Sequence, residues 1–243
     1  MADAPDAHFP KGPRSAILRA AAAEFAARGF SGARVDAIAR RAGVNKAMLY
    51  YHVGGKAALY DMVISEAVAS MWSAVEEGVS KASTPEGRLA AIAEAFASVG
   101  RARPYMPRII LREMATGGKD LTEPMIKALG RIIALEQSII CSTSAKGCFR
   151  KVHPATLHIL LVVGTMLHIV AKPMSGRIAK TAGTTLPPWP EAPGRAVADL
   201  VLRGLLVRPE ASAEPRTRHG SRKTARSAHE PAARKIRKKE DRA

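Results

Sequence analysis

The sequence has few aromatic residues and only two cysteines. Phe, Trp and Tyr together make up 5% of the chain. That fraction is low for a β-sandwich or barrel, whose strands favour aromatic and β-branched side chains. Cys141 and Cys148 cannot form a disulfide framework, and their spacing is not that of a zinc site. A reducing cytoplasm is therefore the expected compartment.

Acidic residues are also scarce, with 21 Asp and Glu against 38 Lys and Arg, a formal net charge of +17. This balance predicts a polyanionic partner, either nucleic acid or an anionic membrane surface.

The opening residues lack the apolar core of an export signal, and we expect residues 1–10 to be a disordered lead-in. The uncharged stretch Val152–Ala171 approaches the length of a bilayer span. It contains Pro154 and three histidines, and the chain offers no second span to pair with it. We therefore interpret it as a helix that is buried on two sides, and we expect no membrane partner.

Apolar residues recur at helical spacing along most of the chain, beginning with Ile17, Leu18, Ala21, Ala22 and Phe25. Glycine and proline separate the helices, and no alternating segment supports a sheet, so the predicted fold class is all-α. The predicted helices are Arg14–Arg28, Val35–Ala42, Val44–His52, Lys56 to about Gly78, Pro85 to about Arg101, Pro104–Ala115, Thr122 to near Gly147, Pro154 to Lys172, and Arg195–Val207. Five prolines predict an irregular connection over residues 173–193.

The second and third of these helices, joined at Gly43, predict a helix-turn-helix packed on the first helix. The second helix of such a pair can enter the DNA major groove and present its first turns to base edges. Here those turns carry Asn45, Lys46 and Ala47. The donors that follow suit phosphate oxygens, and they are Tyr50, Tyr51, His52 and Lys56.

The longer string over residues 29–59, GFSGARVDAIARRAGVNKAMLYYHVGGKAAL, resembles the DNA-binding region of the TetR family of bacterial transcriptional regulators. The matching features include Gly29-Phe30, Ala42-Gly43-Val44 and the run from Leu49 to Val53. With the Ile17–Phe25 helix, the resemblance covers about residues 11 to 70. Beyond that region only the helical architecture is similar.

The resemblance implies a homodimer in which each N-terminal module contacts half of a near-palindromic operator in double-stranded DNA. Carried over by position, Lys46, Ala47 and Tyr50 approach bases, whereas Tyr51, His52 and Lys56 hold phosphates. Arg34 stands where the family often has a phosphate-binding Thr or Ser, and Met48 and Gly55 also depart from the usual residues. These departures bear on which bases are contacted.

The predicted organisation is an N-terminal three-helix module and a larger C-terminal helical bundle. Residues 11–71 form the DNA-binding domain, with the helix-turn-helix at about 34–53, and residues 72–209 form the regulatory and dimerisation domain. In residues 210–243 eleven positive and five negative charges surround a single large aliphatic residue, Ile236, which predicts a disordered basic tail. The tail is interpreted either as a solvated run or as a non-specific electrostatic anchor to DNA.

Two further sets of residues are predicted in the larger domain. A small-molecule pocket is expected to be lined by Phe96, Met106, Ile110, Met114, Leu129 and Ile133, with Arg112 or Glu113 supplying polarity, and the alternative is an ordinary core. A four-helix dimer interface is expected from the uncharged helix and the last helix, through Leu157, Leu161, Gly164 and Leu200. His153, His158 and His168 are expected to be buried or interface histidines rather than metal ligands.

The resulting hypothesis is a sequence-specific DNA-binding regulator, a ligand-responsive homodimeric repressor in the bacterial cytoplasm, associated with the nucleoid. Two alternatives stay open: a non-specific nucleic-acid-binding protein that uses the basic tail, and an all-α enzyme. No nucleophile triad, paired carboxylates, metal cluster or P-loop is evident in the sequence, so no catalytic residues, metal or cofactor are expected.

Overall fold

The computed structural model describes residues 12–142 and 147–206, and within these ranges the fold is all-α, as predicted. In these ranges there is no β-strand, only an isolated bridge between Phe149 and Leu206. The helices are α1 (Pro13–Gly32), α2 (Val35–Ala42), α3 (Lys46–Val53), α4 (Lys56–Lys81), α5 (Pro85–Ala102), α6 (Tyr105–Ala115), α7 (Glu123–Ile140), α8 (Pro154–His158), α9 (Gly164–Ala182) and α10 (Pro193–Leu205), with a π-helical turn (Ile159–Val163) between α8 and α9. The lead-in predicted for 1–10 and the tail predicted for 210–243 lie outside the described residues.

The three N-terminal helices pack on one another as a helix-turn-helix module. The apolar stripe of α1 is buried, with Ile17 and Phe25 fully enclosed. Gly29 interrupts α1 at a φ of 70°, a conformation that favours glycine, and the chain then turns back. Phe30 consequently stacks on Phe25 with ring centroids 6.3 Å apart.

Gly43 makes the turn between α2 and α3 in the left-handed conformation, with a φ of 71°. The third helix begins two residues later than predicted, at Lys46, because Asn45 is its N-cap. The Asn45 Oδ1 atom accepts a hydrogen bond from the Met48 backbone N–H at 2.7 Å.

Two buried apolar clusters organise the described part of the chain. The first joins α1–α3 to the N-terminal half of α4 and to α6, and its residues on α4 run from Leu59 to Ala67. The second begins at Met71 on α4 and includes residues of α5, α7, the α8–α9 segment and α10. Ile110 on α6 packs against both clusters. Helix α4 and helix α6 therefore connect the module to the larger bundle.

The predicted end of the seventh helix, near Gly147, is wrong. Helix α7 ends at Ile140, and the Ser142 N–H and hydroxyl both donate to the Ile139 carbonyl, at 3.3 Å and 2.8 Å. A serine hydroxyl that bonds the backbone in this way competes with continuation of the helix.

The prediction that Pro173 ends the uncharged helix is also wrong, since α9 continues through it to Ala182. Pro173 has no N–H to donate to the Ile169 carbonyl one turn earlier, and beside it the Ser175 hydroxyl donates to the Lys172 carbonyl at 2.8 Å. Gly183, left-handed at a φ of 63°, is the residue that ends the helix. The irregular connection therefore covers residues 183–192 rather than 173–193.

Helix α8, the π-helical turn and α9 form one helical run, Pro154–Ala182, that is long and apolar enough to cross a membrane by length and composition alone. In the described structure its buried apolar residues, Leu157, Leu161, Val162 and Met166, belong to the second apolar cluster. The run packs against α5, α6 and α10. One face thus packs in the bundle, while Ile159, Leu160 and Leu167 are 50–55% exposed, so burial of a second face stays a prediction.

Candidate functional site

Helix α3 has one face buried in the module and the other open to solvent. Leu49 and Val53 are 0% and 5% exposed and anchor the helix on the apolar cluster. Ala47, Tyr50 and Tyr51 are exposed, and Tyr51 has 87% of its surface accessible. The helix is thus fixed by its inner face while its aromatic side chains remain available to a partner.

Lys46, at the start of α3, is paired with Asp36 on α2. Its ammonium nitrogen lies 2.9 Å from the Asp36 Oδ1 atom, and the two side chains are 54% and 70% exposed. The hydrogen bond and negative charge of Asp36 raise the pKa of Lys46, so Lys46 is a cation at neutral pH. An ion pair this exposed contributes little to stability, and a competing anion can replace Asp36.

The other residues expected at this surface have different degrees of access. Arg34 is exposed immediately before α2, and His52 is half-buried with its ring 5.4 Å from the ring of Tyr51. The Asn45 side-chain oxygen is occupied as the helix cap. Lys56 donates to the Ser31 carbonyl at 3.2 Å and lies 4.8 Å from the centre of the Phe30 ring. Met48, which the sequence prediction did not include, is 43% exposed on the same helix.

All six residues expected to form a pocket line one cavity in the larger bundle. The cavity has a volume of about 310 Å³ and lies between α4, α5, α6, α7 and the α8–α9 segment. Its predicted lining residues are Phe96, Met106, Ile110, Met114, Leu129 and Ile133. Cavities that bind small molecules commonly have volumes of about 300–1,000 Å³ and mostly apolar walls.

The sequence prediction missed the part of the cavity wall that α4 and the α8–α9 segment contribute. Trp72 lies on α4, and His158, Val162 and Met166 lie on or beside the π-helical turn. Neither Arg112 nor Glu113, the two expected sources of polarity, lines the cavity. The lining residues of the α8–α9 segment follow regular helical spacing, and they were missed because this helix was expected to form a dimer interface.

Helix α6 contacts both the cavity and the N-terminal module. From this helix, Arg112 donates to the Ala27 carbonyl of α1 at 3.0 Å. The Ser31 hydroxyl bonds the Asp120 carboxylate at 3.1 Å, just beyond α6. The Asp120 N–H bonds Glu113, which is 2% exposed, and burial raises the pKa of Glu113. A displacement of α6 would therefore act directly on the end of α1.

The four residues expected at a dimer interface differ in exposure. Leu157 and Leu161 are 1% and 0% exposed and belong to the core of the protomer, so they do not lie on an open surface. Gly164 is half-buried, with Val197 of α10 3.5 Å from the position of an added Cβ. Leu200 is 74% exposed. The exposed apolar residues beside the two buried leucines are Ile159, Leu160 and Leu167.

Comparison with known proteins gives matches over both the module and the longer chain. Residues 17–63 match the model of the family described as bacterial regulatory proteins, tetR family. The chain is 28% identical over 176 residues to the HTH-type transcriptional regulator RutR of Escherichia coli K12, covering 71% of this chain and 80% of RutR. It is 39% identical over 83 residues to the HTH-type transcriptional activator FasR of Mycolicibacterium smegmatis, covering 34% of this chain and 38% of FasR.

The fold also resembles solved structures. The ketosteroid transcriptional regulator KstR2 of Mycobacterium tuberculosis superposes with a TM-score of 0.58 at 17% identity, covering 83% of this chain and 99% of KstR2. A similarity at this identity concerns the fold alone. Among residues 12–142 and 147–206, no group of three or more His, Cys, Asp or Glu side chains is placed to hold a metal ion.

Proposed function

The chain belongs to the TetR family of bacterial regulatory proteins, a family of DNA-binding transcriptional regulators, and from this premise we propose that it is a ligand-responsive homodimeric repressor. It would act in the cytoplasm, on the nucleoid, at a near-palindromic operator. The observation that supports the proposal is that helix α3 has one buried and one exposed face. Leu49 and Val53 anchor the buried face, and Tyr50 and Tyr51 lie on the exposed face. A recognition helix needs this combination, because it must be held rigidly and still enter the major groove.

The first turns of α3 supply the contacts to bases. Lys46 can donate to the O6 and N7 atoms of guanine once DNA replaces its partner Asp36, and Ala47 offers a small apolar surface to a thymine methyl group. Asn45 has its amide nitrogen left for a contact, since its oxygen caps the helix. Tyr50 lies one turn further along and borders the same groove.

Phosphate contacts flank these positions and set the orientation of the helix. Arg34 precedes α2, and Tyr51 and His52 end α3. Lys56 contributes only if it leaves the Ser31 carbonyl, which makes its contact with DNA weaker than that of Arg34. Phosphate contacts supply affinity without sequence preference, whereas contacts to base edges supply the preference.

The second copy of the chain is proposed to pack on the α8–α9 segment and α10, which contact each other within the protomer. Large apolar side chains remain exposed there, with Leu160 at 51%, Leu167 at 55% and Leu200 at 74%. A two-fold interface would bury them and would place two copies of α3 about 34 Å apart, one turn of the DNA.

The response to a ligand is proposed to pass through α6. Met106, Ile110 and Met114 line the cavity, while Arg112 of the same helix holds the Ala27 carbonyl on α1. A ligand that displaces α6 would move α1 and with it the module, changing the separation of the two recognition helices. Coupling of this kind amounts to about 1–3 kcal/mol, or roughly 5–150-fold in operator affinity.

The test begins with selection of duplexes from a random library by the full-length protein, at near-physiological salt. The proposal predicts a near-palindromic consensus bound by an even number of chains, and lower expression of a reporter placed behind that sequence. Bound duplexes with no shared sequence would support instead a non-specific protein that uses the basic tail, because such binding depends only on phosphates. Raised reporter expression would make the protein an activator.

The dimer is tested by sedimentation equilibrium of the wild type and of Leu200→Glu. We expect the wild type to be a dimer and the variant to be a monomer, because the glutamate places a charge in an apolar interface. Ile126→Glu is the matched control, since Ile126 is 51% exposed on α7, away from the proposed interface. An unchanged dimer in Leu200→Glu would move the interface elsewhere.

A further inference from the structure

Among the described residues, the cavity wall contains a single ionisable side chain, His158. The other described lining side chains are aliphatic or aromatic, or belong to methionine, and the one other polar group among them is the indole N–H of Trp72. No lysine, arginine, aspartate or glutamate of residues 12–142 and 147–206 lines the cavity. A ligand that enters therefore meets an apolar surface with one strong hydrogen-bonding position.

His158 is held in place by Glu136 of α7. The His158 Nδ1 atom lies 3.4 Å from Oε1 and 3.3 Å from Oε2 of Glu136, and only the contact to Oε1 has the geometry of a hydrogen bond. Glu136 is 0% exposed and His158 is 8% exposed. Among the described residues, the Oε2 atom has no hydrogen-bond partner. A buried carboxylate in this position favours a proton on Nδ1, which leaves Nε2 as the ring nitrogen that can serve a ligand.

The backbone beside His158 departs from a regular helix. The π-helical turn Ile159–Val163 follows it directly, and the Thr165 hydroxyl of α9 donates to the Leu161 carbonyl in this turn at 2.6 Å. Two consecutive pairs, His158-Ile159 and Val162-Val163, line the cavity on one face of the run. π-Helical turns occur frequently at functional sites.

We propose that the cavity binds an uncharged, largely apolar alcohol or phenol whose hydroxyl bonds the Nε2 atom of His158. This inference rests on the proposed ligand response and specifies its ligand. A hydroxyl suits Nε2 in both protonation states of the ring, since it donates to the neutral imidazole and accepts from the imidazolium. A charged ligand would bring a net charge into a wall with no other charged side chain, which is strongly unfavourable.

The volume limits the size of the ligand. At about 30 Å³ for each water in the liquid, 310 Å³ corresponds to about ten waters. A single aliphatic chain with about ten heavy atoms therefore fits, whereas a nucleotide-sized ligand does not. Decanol, decanoate and decylammonium form a matched set of probes that differ in the charge of the head group.

Binding is measured by the emission of Trp72, which lines the cavity, in a Trp189→Phe background that removes the other tryptophan. We expect decanol to bind at least tenfold more tightly than decanoate, decylammonium or nonyl methyl ether. The ether has as many heavy atoms as decanol but no O–H donor. Tighter binding of decanoate would overturn the proposal in favour of an anionic ligand, and equal binding of decanol and the ether would remove the role of the hydroxyl.

The role of His158 is tested by replacing the whole pair, in Glu136→Leu/His158→Phe, because removing the histidine alone would leave a buried carboxylate unpaired. We expect this variant, once circular dichroism shows that it is folded, to bind decanol and the ether with equal affinity. A retained preference for decanol would overturn the assignment to His158.

The tryptophan measurement needs no DNA, so a failure here is distinguishable from a failure to select an operator. No change in emission with any probe would overturn the ligand class while leaving the DNA-binding proposal to its own experiment.

Discussion

Replacing Gly29 by alanine should weaken the contact between α6 and the N-terminal module, and Gly43 provides a control for a substitution at positive φ that displaces no side chain. Gly29 has a φ of 70° and a ψ of 175°, a combination that only glycine readily adopts, whereas Gly43 is in the left-handed helical region with a φ of 71° and a ψ of 25°. An added Cβ at Gly29 would lie 2.9 Å from the Arg112 Cδ atom, whereas one at Gly43 would have nothing within 4 Å. Gly29→Ala therefore strains the backbone more than Gly43→Ala does, and only Gly29→Ala displaces a side chain.

The expected magnitudes follow from these two effects. The left-handed helical backbone costs a non-glycine residue about 1–2 kcal/mol, which applies to Gly43→Ala, and the conformation of Gly29 costs about 2–3 kcal/mol. Displacing Arg112 also breaks its 3.0 Å hydrogen bond to the Ala27 carbonyl, worth about 1 kcal/mol in an exposed position. Gly29→Ala should thus lower the free energy of unfolding by about 3–4 kcal/mol and Gly43→Ala by about 1–2 kcal/mol. The part that depends on Arg112, about 1 kcal/mol, corresponds to about 2–4 °C in Tm for a chain of this size.

The assay is urea denaturation at one fixed protomer concentration, because dimerisation makes stability depend on concentration. Repeating both substitutions in an Arg112→Ala background completes a double-mutant cycle. There Gly29→Ala should destabilise by about 1 kcal/mol less than it does in the wild type, whereas Gly43→Ala should destabilise equally in both backgrounds. If Gly29→Ala has the same effect with and without Arg112, the contact between α6 and α1 is not the one described, and the proposed route from the cavity to DNA loses its support.

Three further predictions concern the module and the pH dependence of stability. Tyr51→Ala should lower operator affinity by about tenfold in a titration without changing Tm, since Tyr51 is 87% exposed; a lower Tm would show that the ring has a structural role. Asn45→Ala removes the cap on the Met48 N–H and should lower the free energy of unfolding by about 1 kcal/mol in urea, whereas Asn45→Asp, which keeps an acceptor, should lower it by less. Burial raises the pKa of Glu113 in the folded state, so its contribution to stability is present below its ordinary pKa and is lost as the pH rises through the raised value. The Tm of Glu113→Gln relative to the wild type should therefore rise as the pH is increased above 4.5, the ordinary pKa of a glutamate, and a constant difference would contradict this assignment.

The module was the most predictable part of the molecule from sequence. Gly43 between two short amphipathic segments fixed the turn, and burial of Leu49 and Val53 follows from helical spacing within α3. Which donors remain available was not predictable. Asn45 acts as the cap and Lys56 is turned toward Ser31, because backbone groups near these residues compete with a partner for the same atoms.

The cavity was predictable only in part. The six expected lining residues lie on α5, α6 and α7, whose apolar faces follow regular periodicity. His158 and Val162 were missed because the uncharged helix was expected to form a dimer interface, and Trp72 was missed because it lies on the long helix α4, which contributes to both cores. The continuation of α9 beyond Pro173 was missed because proline has no N–H for the carbonyl four residues earlier and usually ends a helix. For His158 the signal was available: a histidine in an otherwise uncharged helix needs a buried partner, and Glu136 provides one.

The central claim is that the exposed face of α3 recognises a DNA sequence. Its most direct test is fluorescence anisotropy of the full-length protein on the selected duplex, with excess random duplex as competitor at near-physiological salt. The wild type should stay bound at an even number of chains per site, and Lys46→Ala/Tyr50→Ala, which removes two exposed side chains of α3 that are proposed to approach bases, should be displaced by the competitor. Equal displacement of the two proteins, or equal retention, would contradict recognition by α3.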